Sequence, residues 1–198
     1  MSDLKRSPSA PRPKLQPVPT EMATSSFLRN STQATLDEFD QRQLRDALGT
    51  FITGVTVVTT RDKNGVAHGL TANSFTSVSL EPPLILWSQA VTSRSYSAFR
   101  EAEHFAINIL AEDQTEISAH FAKSSGDKFS GIPHHSGLGD VPVVEGAAAH
   151  LECVKVQSIL IGDHMLHIGR VERIGKSSRR PLAFSRGKYV RALACDEA

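Results

Sequence analysis

The sequence predicts a mainly antiparallel β-barrel or sandwich with peripheral helices. Three observations point there. Six or so segments carry β-branched or continuous apolar runs of strand length. Short turns join them. Helical periodicity recurs too seldom for a βαβ alternation. At 198 residues the chain suits one domain with a tail, and its 39% hydrophobic content supplies a sizeable core.

Residues 1–34 read as a disordered, basic, Pro/Ser-rich tail. The first 19 residues hold five prolines, with Lys5, Arg6, Arg12 and Lys14 among few apolar side chains. Proline excludes helix, and so little hydrophobicity cannot offset the entropy of ordering. No apolar stretch follows the basic residues, so no secretory signal is expected, and the prolines would break an amphipathic import leader. The folded domain is expected over 35–194.

Its elements follow in order. Thr35 and Glu38 form a capping box, and Leu36, Phe39, Leu44, Ala47, Leu48 and Phe51 repeat at helical spacing, which predicts a helix over 36–48. Gly49 and Gly54 bracket its exit. "VTVVTT" (55–60) is a strand, and the turn "RDKNG" (61–65) leads to a hairpin partner over 66–72. Further strands are expected at 84–88, 104–110, 149–160 and 164–174. Helical periodicity marks 95–103 and 113–122, and the Gly/Pro-rich segment 130–142 reads as an irregular loop.

Several chemistries are excluded by composition and spacing. A net charge of +1 gives no nucleic-acid footprint, and no apolar run reaches the roughly 18 residues of a membrane span. Cys153 and Cys195 stand far apart, without CxxC spacing, which fits a reducing, cytoplasmic location. There is no GxGxxG after a strand, no Walker A and no GxSxG elbow. His164 and His167 lie three apart in a strand and so face opposite sides. His134 and His135 sit in a loop without a neighbouring carboxylate or thiol, so no metal site is expected.

What remains is polar. Between Thr71 and Ser79, six of nine residues carry small hydrogen-bonding side chains. If extended, Thr71, Asn73, Ser77 and Ser79 share one face, a row of donors and acceptors for a polar, planar or phosphorylated ligand. The same residues also suit turns and caps, satisfying backbone groups between strands. A second cluster, Ser93, Arg94 and Ser95, opens a predicted helix, where free N–H groups and the arginine fork suit a phosphate. An N-cap serine beside an exposed arginine is the plain alternative. Two such clusters flanking one core strand could hold two ends of a phosphorylated cofactor.

Eight blocks in order, "FITGVTVVTT", "GLTANSFTSVSLEPPLIL", "SRSY", "FAINIL", "DKFSGI", "LECV", "GDHMLHIGRVE" and "RPLAFSRGKY", resemble the short-chain flavin reductases, the reductase components of two-component flavin-dependent monooxygenases. The resemblance spans about residues 36–193. It implies a Greek-key split β-barrel of the FMN-binding type, with peripheral helices, that binds FMN or FAD. It also implies a homodimer with flavins near the interface. Such proteins oxidise NADH or NADPH and release reduced flavin to an oxygenase partner. No nucleic-acid or membrane partner is implied.

By motif match the flavin contacts fall on Gly69, Leu70, Thr71, Ala72, Asn73 and Ser74, with Ser77 further along the same run. After the next strand they fall on Ser88, Gln89 and Ala90, then on Ser93, Arg94 and Ser95. His120 and Phe121 fall where a later helix closes over the flavin. His164 falls at the nicotinamide side as the catalytic candidate, with Phe184, Ser185, Arg186 and Gly187. The proline-rich extension has no counterpart in the family pattern.

The resemblance also explains a site without an acid–base pair, since hydride passes directly between nicotinamide and flavin and the protein supplies positioning and hydrogen bonds. His164 is read as a donor to the nicotinamide or the reduced flavin, against the alternative of a satisfied strand histidine. Cys153 is read as a buried strand residue. Trp87 packs either under the flavin or only in the core. Two other functions stay open on the same fold: a flavin-holding electron-transfer protein and a non-catalytic flavin-binding module. The "GDH" and "FSRGKY" blocks favour the reductase.

Overall fold

The structure, a computed structural model, describes residues 40–123 and 126–193. By contacts the chain divides into Met1–Gln43 and Leu44–Ala198, and all three sheets and the cavities described here belong to the second unit. Helix α1 spans Gln41–Leu48. Asp40 and Gln43 cap its start reciprocally, with Gln43 N donating to Asp40 Oδ1 (2.7 Å) and Asp40 N to Gln43 Oε1 (2.9 Å). The described helix begins at Gln41, and residues 36–39 of the expected helix with the Thr35–Glu38 box lie outside the described residues, as do the tail and Cys195.

Strands β1 (Thr53–Gly54), β2 (Thr56–Arg61), β3 (Ala67–Ala72), β4 (Thr76–Leu80), β5 (Pro83–Ala90) and β6 (His104–Ile109) follow, with α2 (Tyr96–Glu101) before β6. After α3 (Thr115–Ala122) come β7 (His134–Ser136), β8 (Pro142–Val144), β9 (Ala149–Ile161), β10 (His164–Lys176), β11 (Leu182–Ser185) and β12 (Lys188–Arg191). The main sheet runs β3-β2-β6-β9-β10-β5-β4, and every neighbouring pair is antiparallel. Its two edges, β3 and β4, are consecutive in the chain, yet no ladder joins them. The barrel is split there, and the split positions the site.

The core explains the order. β2 is buried throughout except at Arg61, because it lies between two apolar clusters. Val57 faces Leu110, Phe121, Phe129 and Leu182, while Val58 faces Trp87, Phe99, Phe105 and Ile107. Trp87 is fully buried, stacked on His167 at 4.7 Å between ring centroids. It packs in the core, not under a ligand. Cys153 is buried too, and burial pushes its thiol up to about 12, which leaves it unreactive.

Three expectations change. The segment 130–142 is not wholly irregular, since β7 pairs with β8 around a short 3-10 turn at Leu138–Asp140. Its Leu138 N donates to the buried Glu152 carboxylate at 2.5 Å. The β11–β12 hairpin was not foreseen. It turns through Arg186 (φ 48°) and Gly187 (φ 76°), a two-residue loop of the kind that matches strand twist. The Thr71–Ser79 row is not one strand either. The chain leaves β3 at Ala72 and restarts at Thr76, and a bulge between Ser77 and Ser79 shifts the register again. Ser77 is thus carried onto the exposed edge strand.

Candidate functional site

A cleft of about 1110 Å³ opens along the split, slightly above the range of about 300–1,000 Å³ usual for small-molecule sites. One wall is β3 with Asn73 and Ser74. The other is the end of β5, Ser88 to Ala90, with Thr92 to Ser95 and His164. Phe121, Ala122 and Lys123 from the end of α3 and Gly126 to Lys128 complete it.

The small residues of the opening cluster build these walls. Thr71 Oγ1 donates to Ser118 O at 2.6 Å, which ties β3 to α3. Ser74 Oγ donates to Ser88 O and accepts from Ser88 N, both at 3.0 Å, so one serine bridges the split where the ladder is missing. Gly69 is required by close approach: a Cβ there would meet Phe121 Cε1 at 2.6 Å. The hydroxyls of Thr71 and Ser74 are therefore committed to the protein. Along this segment a ligand meets main chain and Asn73.

The other wall carries an ordered set of hydrogen-bond donors. Gln89, 2% exposed, donates from Nε2 to Ser93 Oγ and to Ser95 Oγ, each at 3.2 Å, and the two hydroxyls lie 3.2 Å apart. Two amide protons thus occupy the serine oxygens, and one hydroxyl proton spans the pair. The second hydroxyl proton is left for an acceptor in the cleft. Gln89 Oε1 is buried with no partner among the described residues, a cost that holding the amide in this orientation accepts. Arg94 lines the cleft between the two serines. Ser95 makes no capping bond to α2, a helix of six residues. The phosphate reading thus rests on this hydroxyl pair and Arg94, not on a helix end.

His164 reaches the cleft from the start of β10, and its Nδ1 lies 2.7 Å from Asp163 Oδ1. That contact holds the Asp163 carboxyl below its ordinary range. His167, three residues on, faces the core as the strand period requires. His120 stands behind the wall, its Nε2 3.0 Å from Lys128 O.

The expected residues from Gly69 to Ser74, from Ser88 to Ala90 and from Ser93 to Ser95 come together, along with Phe121 and His164. Ser77 and His120 are outside the cleft. Phe184 to Gly187 line a second cavity of about 750 Å³, with Arg45, Asp46 and Gly49 to Phe51. The two cavities share Asn73. Sequence reasoning overlooked Lys128, Lys123, Thr92 and His68 as cleft residues. Lys128 stood inside the "DKFSGI" block, its only signal.

The donor set fits a flavin nucleotide. The cleft carries Leu70, Ala72 and Phe121 for a planar ring, and a hydroxyl pair with Arg94 for a phosphate. Residues 48–193 match the family model described as flavin reductase like domain. The chain is 46% identical over 148 residues to a protein of Acinetobacter baylyi named flavin-dependent trigonelline monooxygenase, reductase component, covering 75% of this chain and 48% of that one. It is 43% identical over 152 residues to an FMN reductase (NADH) of Agrobacterium fabrum, covering 77% and 86%.

The chain spans about half the length of the Acinetobacter protein and of a probable flavin reductase of Rhizobium meliloti. Among solved structures, the NADH:FAD oxidoreductase of Streptomyces globisporus, in complex with NAD and FAD fragments, superposes with a TM-score of 0.74 at 37% identity. That match covers 80% of this chain and 96% of the other. The split-barrel expectation is met by these neighbours. With three quarters of its length in that match, the chain belongs to the family of flavin reductase like domains.

Proposed function

We propose that this chain is an NAD(P)H:flavin oxidoreductase. A hydride leaves the nicotinamide of NADH or NADPH, FMN or FAD takes both electrons, and the reduced flavin passes to the oxygenase component of a two-component monooxygenase. The observation that carries the reading is the Gln89–Ser93–Ser95 cluster with Arg94 in the wall of a cleft of about 1110 Å³. The names of the relatives support each part: a monooxygenase reductase component, an FMN reductase (NADH) and an NADH:FAD oxidoreductase. The working domain is proposed to be residues 35–194.

In this reading the chain binds and orients. Ser74 and Thr71 hold the groove at a fixed width, and Phe121 closes one side. His164 stands at the edge as a donor whose contact matters most once charge has moved onto the ring. The cavity of Phe184 to Gly187 is the place for the nicotinamide nucleotide, meeting the groove at Asn73. The test is oxidation of NADH and NADPH with added FMN, FAD and riboflavin in turn. Turnover dependent on free flavin is expected. Absence of flavin-dependent oxidation in every combination would overturn the reading.

We further propose a homodimer. Register places Leu84, Leu86, Leu166, Ile168 and Ile159 on the face of the main sheet opposite Trp87 and His167, together with Ser88, Ala90 and His164 of the cleft. Ile161 on that face is 57% exposed. A second copy laid there would bury an apolar surface and close the groove. A cytoplasmic location fits the free thiol of Cys153. Among the described residues no helix is long and apolar enough to cross a membrane.

A further inference from the structure

Lys128 lines the cleft, and its ammonium donates to Gly69 O at 3.0 Å and to Phe121 O at 2.9 Å. One carbonyl belongs to β3 and the other to the last turn of α3. The Lys128 carbonyl meets His120 Nε2 at 3.0 Å, so the residue is fixed at both ends. An ammonium has three donors. Two are committed here, and one remains for the cleft. Partial burial lowers its pKa from the ordinary lysine value, the mark of a cation stripped of part of its water. Such a cation attracts an anion more strongly than a solvated lysine does, and it loses less side-chain freedom on binding. The neighbouring carboxylate of Asp127 turns to its own loop and accepts from Phe129 N at 3.0 Å.

We infer that Lys128 presents a preoriented cationic N–H to an anionic group of the bound nucleotide, which rests on the flavin reading proposed above. Two groups share that chemistry, the flavin phosphate and the negative charge of the reduced ring. The competing role is structural. A lysine that satisfies carbonyls at a helix C-terminus stabilises that end whatever occupies the cleft.

Lys128→Met and Lys128→Gln separate these, with Lys128→Arg as the charge-retaining control. Gln keeps two amide protons that can serve carbonyls, on a side chain one bond shorter, and removes the charge and the third donor. Affinities are measured on the full chain for oxidised FMN and riboflavin, and anaerobically for the reduced form of each. Loss of one charge-assisted contact predicts about 10- to 150-fold weaker binding of the affected ligand, with Lys128→Arg recovering most of it. A loss for both forms of FMN but neither of riboflavin assigns the phosphate. A loss for both reduced forms and neither oxidised form assigns the ring. Unchanged affinities, or an equal loss for all four ligands, would show a structural clamp and overturn the inference. Wild-type protein that binds none of the four overturns the flavin reading, and this inference with it.

Discussion

Replacing Gly69 by Ala tests the link between the packing of the split and its function. The new methyl carbon would stand 2.6 Å from Phe121 Cε1, 2.8 Å from Cδ1 and 3.3 Å from Phe129 Cζ. Carbon atoms in good contact are about 3.5–4.0 Å apart, so the Phe121 ring must retreat by about 1 Å. It has little room to do so, being 1% exposed and packed edge-on to Phe129 at 5.2 Å between centroids. Overpacking of this kind costs about 1–3 kcal/mol. The gain from removing a strand glycine is about 0.5–1 kcal/mol, so a net loss of about 1–2 kcal/mol should remain. The strain also moves α3, whose Ser118 and Phe121 carbonyls anchor Thr71 and Lys128, so flavin affinity should fall with stability. Urea unfolding and flavin titration read the two effects. Gly54→Ala is the control, because nothing lies within 4 Å of its added carbon. A Gly69→Ala protein as stable as wild type, with unchanged affinity, would refute the reasoning.

Arg94→Ala should weaken FMN binding by about 10- to 150-fold through loss of a charge-assisted contact, while riboflavin binding stays near wild type. His164→Ala should slow flavin reduction by NADH about 10- to 100-fold, the lower end for a donor to developing charge, with oxidised-flavin affinity retained in stopped-flow and titration. His167 should make the fold acid-sensitive. Burial depresses its folded pKa to about 4 from 6.5, so its contribution is complete above pH ~6.5 and is lost as pH falls towards 4. That is about 3 kcal/mol over the window, and His167→Gln should flatten the slope of urea stability against pH. Light scattering should report a dimer at working concentrations, and a fully active monomer would count against the proposed interface on β5, β9 and β10.

Much of the fold was readable because its signals are local. The β-branched run of β2, the "RDKNG" turn and the periodicities of α2 and α3 are each complete within a dozen residues. The ordered blocks and the Thr71–Ser95 polar residues were equally plain, and they placed the cleft. What a hydroxyl does there was not readable. Thr71 and Ser77 are alike in sequence, yet one is bound to Ser118 on α3 and the other lies on an edge strand, because a break at residues 73–75 intervenes. Strand alternation turns Gln89 inward beside Trp87, where it orders two serines from below rather than meeting a ligand in the open. Lys128 reaches Gly69 across 59 positions of chain. Sequence determines which segments are strands and where polar groups accumulate, since short-range sterics and apolar patterning settle both. The closing of the split, and the choice of donors left over for a ligand, depend on contacts between distant segments, whose partners exist only once the sheet has assembled.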